Sequence, residues 1–263
     1  MKKEICNLFK YILLQVSFLC GLFYFSSGSA LAHERHYVFN QEYQTLPKGG
    51  MEIESHTEFK VPAWRRSNTN DIVYQGELEY GVTDHWTISH YETWQTQNQG
   101  GTDEDGNRLK DRTTYHGFKF ETKYRLFEKG KLWVDPLIYL EWETDPRKDK
   151  NPNSIEGKIV LSRDFGKFNI TYNQIIDSEL GSGGRTEHEF TVGMNCEILE
   201  DLHAGMEIQG NYWKPSSNRN EFALGPALSY ASKYFWVAAG ILFGVNHAAD
   251  DFDARVMAGI PLL

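Results

Sequence analysis

From Met51 to the end of the chain, apolar and polar residues alternate with a period of two. They do so in runs of about ten residues, which is the signature of strands with one apolar and one polar face. Met51 to Val61 sets Met51, Ile53, Phe59 and Val61 against Glu52, Glu54, His56, Glu58 and Lys60. Ile72 to Gly81 sets Ile72, Tyr74, Leu78 and Tyr80 against Gln75, Glu77 and Glu79. The same opposition recurs in Thr114 to Leu126 and Leu132 to Thr144, and further segments follow at Ser154 to Arg163, Phe168 to Leu180, Glu187 to Ile198 and Leu202 to Trp213. Glu221 to Ala231, Tyr234 to Val245 and Phe252 to Leu263 complete the series. Trp86 to Thr96 mixes both kinds of residue on both faces, and with it the pattern predicts twelve strands and no helix.

The connectors alternate too. Tight turns are expected at Val82 to His85, Phe127 to Lys131, Asp164 to Lys167, Leu199 to Asp201 and Ser232-Lys233. Longer polar loops separate them at Pro62 to Asn70, Gln97 to Arg112, Asp145 to Asn153, Gly181 to Thr186, Lys214 to Asn220 and Asn246 to Asp251. Short and long connections in alternation over an even number of strands are what an outer-membrane barrel requires, with both termini on the periplasmic side. The expected fold is therefore all-β, a single antiparallel up-and-down transmembrane β-barrel of about 12 strands. A soluble barrel or sandwich would show the same alternation, but soluble strands usually run to five or six residues. All seven Trp residues lie near expected strand ends, where an indole can sit at headgroup level.

The chain opens with Lys2, Lys3 and Lys10, then carries no charge from Tyr11 to Ala32 and ends this stretch in Ala30-Leu31-Ala32, the order of a secretory signal peptide cut after Ala32. The expected organisation is a cleaved signal over 1–32, a periplasmic N-terminal lead-in over 33–50 and the barrel over 51–263. Loss of three Lys and one Glu from the 27 basic and 36 acidic residues leaves a mature net charge of −11. That balance excludes a general nucleic-acid binder. Cys196 is left alone, so no internal disulfide forms, and it is read as a small apolar filler.

Orienting each strand by its apolar face sends a charged set inward. The lumen-facing candidates are Glu52, Glu54, Glu58 and Lys60, then Glu77 and Glu79, then Lys119, Glu121, Lys123 and Arg125. Asp135, Glu141, Glu143, Glu156, Lys158, Asp177 and Glu179 follow, with Glu187, Glu189, Glu197, Glu207, Asp253 and Arg255 closing the set. Seventeen carboxylates face six cations. This excess implies either an aqueous lumen that favours cations or an interior filled by ion pairs, leaving no pore.

Catalytic motifs are absent. There is no G-x-S-x-G, and Ser89 and His90 are neighbours that must point to opposite faces of a strand. An outer-membrane hydrolase is thus the third alternative after a channel and an occluded structural or interaction barrel. His33, His36 and Glu187-His188-Glu189 hint at metal, but the nine histidines read better as surface or rim groups, and neither a metal nor a cofactor is expected. Gly181 to Gly184 reads as a flexible outer loop, and the acidic Thr102 to Asp111 as a solvated one. Expected partners are the lipid bilayer, the barrel assembly machinery and small solutes.

The stretch ERHYVFNQEYQTLPKGGMEIE from Glu34 to Glu54, followed by GELEYGVTDHW from Gly76 to Trp86, resembles a family of uncharacterised proteobacterial outer-membrane barrels. It is also distantly similar to barrels associated with phenol-degradation pathways. The resemblance covers the first third of the chain and implies location, fold and a porin-like role.

Overall fold

The computed structural model describes residues 35–63, 69–99, 112–148, 152–212 and 220–262. The leader, Trp64, Trp213 and the acidic loop from Thr102 to Asp111 lie outside these residues. Twelve strands form: β1 (Met51–Val61), β2 (Thr69–Thr83), β3 (Trp86–Gln99), β4 (Arg112–Arg125), β5 (Asp135–Thr144) and β6 (Asn153–Phe165). The second half holds β7 (Phe168–Leu180), β8 (Thr186–Leu199), β9 (Leu202–Tyr212), β10 (Glu221–Ala231), β11 (Trp236–Gly244) and β12 (Phe252–Pro261). Each pairs antiparallel with its sequence neighbour, and β1 closes on β12, so the sheet has no free edge. Closure satisfies the strand backbone within the sheet, the condition for spanning a bilayer with strands.

The strand reading of the sequence holds, and the ambiguous segment resolves as β3. There Thr87, Ser89, Tyr91, Thr93 and Gln95 are buried, whereas Trp86, Ile88 and Trp94 are exposed. Exposure is inverted relative to a water-soluble protein. Leu78, Phe120, Ile138, Leu140, Ile159 and Leu228 are each more than 40% exposed, while Glu52, Glu77, Glu79 and Glu207 are at most 2% exposed. An apolar wall outside and a polar interior are the pattern of a barrel whose surrounding solvent is lipid.

Connector lengths depart from strict alternation at two places. The connection from β4 to β5 takes residues 126–134, longer than the expected turn, because β5 begins at Asp135 rather than Leu132. The Asp135 carboxylate instead accepts the Gly130 amide at 2.7 Å and shapes the loop. At the other end, Gly181 to Arg185 is tight. Gly181 and Gly183 have positive φ, and the Gly184 amide donates to the Gly181 carbonyl at 3.2 Å. Trp236 also departs from the expected aromatic girdle. It is fully buried inside the barrel, where its Nε1–H donates to Glu52 Oε1 at 2.5 Å. Nearness to a strand end does not decide which side of the sheet a ring faces; parity along the strand does.

Residues 35–46 run inside the barrel. Tyr37, Val38, Asn40 and Tyr43 are buried, and Val38 and Phe39 pack on an apolar inner wall formed by Ala227, Ala231, Trp236, Ala238 and Met257. The segment leaves at the short-turn end, where the Leu46 amide donates to Thr87 Oγ1 at 2.8 Å and the Lys48 amide to Asp84 Oδ1 at 2.9 Å. Gly49, at φ 81°, then turns the chain into β1.

Candidate functional site

The interior is built in two tiers: the N-terminal segment near the short turns, and charged clusters above it. Glu207 on β9 anchors the segment, because its two carboxylate oxygens accept the Val38 and Phe39 amides, each at 2.8 Å. Glu42 folds the segment on itself by accepting the Tyr37 amide at 2.9 Å. The Tyr37 hydroxyl donates to Asn169 Oδ1 at 2.7 Å, and Asn40 Nδ2 donates to the Thr171 carbonyl at 2.9 Å. Gly193 on β8 makes room for this docking, since a Cβ there would stand 2.3 Å from the Tyr37 ring. Arg125 secures the rim: its Nε donates to Thr45 Oγ1 at 2.7 Å and its guanidinium lies over the Tyr43 ring.

Above the segment, β1 to β4 hold a cluster of Glu54, His56, Glu77, Glu79, Glu121 and Lys123, all buried. Lys123 Nζ sits between Glu79 and Glu121, the latter at 3.2 Å, and the Tyr91 hydroxyl donates to Glu121 at 2.6 Å. Arg35 of the N-terminal segment reaches Glu54 at 3.7 Å. His56 lies within this cluster, 8% exposed, and not at the rim expected of the histidines. Strand pairing places it there, because an even position on β1 shares the inner face with Glu54 and Glu58.

Toward the longer loops, Arg255 pairs with Glu58, and Lys60 Nζ lies 3.2 Å from the same carboxylate. Lys119 bridges Glu141 and Glu143, each at 3.0 Å, and the Tyr139 hydroxyl donates to Glu141 at 2.6 Å. Lys158 Nζ contacts Glu156 at 2.8 Å and the face of Tyr139 at 4.2 Å. Glu189 borders a separate cavity of about 300 Å³ together with Lys60, Asn211, Asp250 and Asp253. Asn211 Nδ2 donates to Glu187 Oε2 over a long 3.4 Å. Glu179 and Glu197 meet Arg185 and Lys167 at opposite ends of the barrel. Outside the spanning strands, Asp145 would be pushed up by its burial, but hydrogen bonds from the Arg147 side chain and backbone outweigh this and hold its carboxyl below the usual range.

A cavity of about 320 Å³ lies over the N-terminal segment, floored by Val38, Phe39 and Asn40 and walled by Glu58, Lys119, Glu141 and Glu156 among others. Its lining carries both signs of charge, and its basic groups are held by carboxylates. Lys119 and Lys123 thus make no unneutralised basic ring, and Arg125 is engaged at the rim. Ser89 and His90 are not joined: Ser89 Oγ faces Glu79 at 3.3 Å inside, whereas His90 Nε2 lies 3.1 Å from Glu92 on the outer wall.

The apolar inner wall that receives Val38 and Phe39 escaped the sequence reading. Its signal was present in the small and apolar residues at inward positions of β10 to β12, the places where other strands carry charge.

No family model matches the chain, and no curated protein does. Among solved structures it is similar to an outer membrane channel from Pseudomonas putida F1, with 10% identity over 86% of this chain and all of the other, at a TM-score of 0.57. It is also similar to the NanC porin, with 10% identity over 80% of this chain and 98% of the other, at a TM-score of 0.54. The chain has the fold of outer-membrane β-barrels.

Proposed function

We propose that this barrel is a narrow outer-membrane channel for small solutes, with cations favoured, whose passage runs past the docked N-terminal segment. The observation that carries this reading is the inward surplus of carboxylates over the cations that contact them. Lys119, Lys123, Lys158 and Arg255 are each already engaged by at least one carboxylate. Glu77, Asp177, Glu187 and Glu189 add carboxylates for which no lysine or arginine ion pair is found among the described residues. A passage lined this way concentrates cations and repels anions. The likeness to a channel and a porin supports the reading at the level of the fold.

A second reading follows from the docking of residues 35–46, which lie inside the barrel toward its short turns. If that segment stays in place, the barrel is an occluded module that presents its longer loops to the exterior. Planar-bilayer recording separates the two. Discrete conductance steps with a cation-selective reversal potential under a salt gradient are expected of the channel. A purified, folded barrel that gives no steps would leave the occluded reading, and an anion-selective one would overturn the charge argument.

A further inference from the structure

We infer that Glu54, His56 and Glu77 form a binding site for a zinc-like first-row divalent cation inside the barrel wall. Glu54 and His56 stand two residues apart on the inner face of β1, and Glu77 is the direct cross-strand partner of Glu54 on β2. This placement brings one imidazole nitrogen and two carboxylate oxygens together, all within 4.8 Å of one another. His56 Nε2 lies 2.8 Å from Glu54 Oε2 and 3.5 Å from Glu77 Oε2. Donors each about 2.1 Å from a shared ion at the tetrahedral angle are about 3.4 Å apart, so little movement is needed for the three to converge.

The independent sign of a ligand is Glu77. It is 2% exposed, yet among the described residues neither of its carboxylate oxygens receives a hydrogen bond, and Glu54 Oε1 likewise receives none. Buried carboxylates without donors are costly, and a cation that uses those lone pairs removes the cost. Charge points the same way. Glu54, Glu77, Glu79 and Glu121 lie together, and among the described residues Arg35 and Lys123 are the lysine and arginine side chains that contact them, so carboxylates outnumber those cations by two. One divalent ion balances that remainder. One nitrogen with two carboxylates suits zinc and its first-row neighbours better than calcium, which takes an all-oxygen shell.

The test uses the intact barrel in detergent, stripped with a chelator and then titrated with Zn²⁺, with bound metal measured after gel filtration. One Zn²⁺ per chain is expected, with affinity reduced tenfold or more in both His56→Ala and Glu77→Gln. His203→Ala serves as the control, because His36 and His203 stack at 4.0 Å and form the competing histidine pair; it should bind as the unmodified chain does. Heat-modifiable migration reports whether each variant is folded. Should either variant fail to fold, Co²⁺ added to His203→Ala must give absorption bands of a nitrogen-ligated ion. Absence of retained Zn²⁺, binding by folded His56→Ala and Glu77→Gln as tight as that of the unmodified chain, or loss only in His203→Ala would each overturn the site. None of these readouts depends on whether the barrel conducts.

Discussion

Single side chains in this barrel answer to one of two solvents, and adjacent residues can answer to different ones. Leu140 is 49% exposed on the outer wall, while Glu141, the next residue, is buried between the Tyr139 hydroxyl and Lys119. An arginine at Leu140 should hinder assembly by about 2–4 kcal/mol if it lies at the bilayer midplane. Glu141→Gln, which keeps an acceptor for the hydroxyl, should still give a folded, heat-modifiable band. Equal loss of folded barrel in the two variants would mean that the faces are exchanged. Trp236 supplies a second case. Replacing it with Phe keeps the ring against Val38 and Ala238 but removes the donor to Glu52, a charge-assisted bond of about 1.5–3 kcal/mol. The temperature at which the band shifts on gels should fall in Trp236→Phe, and an unchanged midpoint would show that the other contacts of Glu52 suffice to hold it.

At the scale of elements, the N-terminal segment is held at a few positions, by polar contacts beside the apolar wall that takes Val38 and Phe39. Removing the Glu207 carboxylate in Glu207→Ala leaves the Val38 and Phe39 amides without their acceptor, at about 1–3 kcal/mol for each buried group. Gly193→Val acts differently, by driving a side chain into the Tyr37 ring and the Asn40 amide, whose atoms a Cβ would meet at 2.3 and 2.7 Å. Both changes should loosen the segment and leave the wall of the barrel intact. The expected result is a larger conductance together with faster proteolysis near Tyr37. Faster proteolysis without any change in conductance would show that the segment does not limit the passage.

This segment also marks the boundary of what the chain reveals before it folds. Period-two alternation is a local property, and it yields the strands and their inner faces directly, down to Glu54 and Glu77 on facing strands. Docking of Tyr37 against Gly193 joins residues 156 apart in sequence, and Val38 reaches Glu207 across 169. No local periodicity encodes such contacts. His56 illustrates the same limit, for its parity was plain but its convergence with two carboxylates depends on the register between β1 and β2. The nine-residue link before β5 escaped for a simpler reason, because Leu132 and Val134 continue the alternation although the backbone there has already left the sheet.

The whole molecule couples an apolar exterior to an interior in which, among the described residues, buried carboxylates outnumber buried cations, and if the barrel conducts as proposed its selectivity should follow from that remainder. Asp177, Glu187 and Glu189 suit the test because they sit toward the longer loops, in register on β7 and β8, and away from the packing of the N-terminal segment. Replacing all three by their amides preserves size and hydrogen-bonding capacity while removing three negative charges. If these groups set the field of the passage, the reversal potential under a salt gradient should move toward anions in the triple variant. In the unmodified barrel the cation preference should itself shrink as salt rises, because the Debye length falls from about 30 Å at 0.01 M to about 3 Å at 1 M. Conductance measured in parallel separates charge from shape, since a change of shape would alter conductance at high salt as well. A triple variant with the original reversal potential at low salt would place the selective step elsewhere, among the paired groups around Lys119 and Arg255.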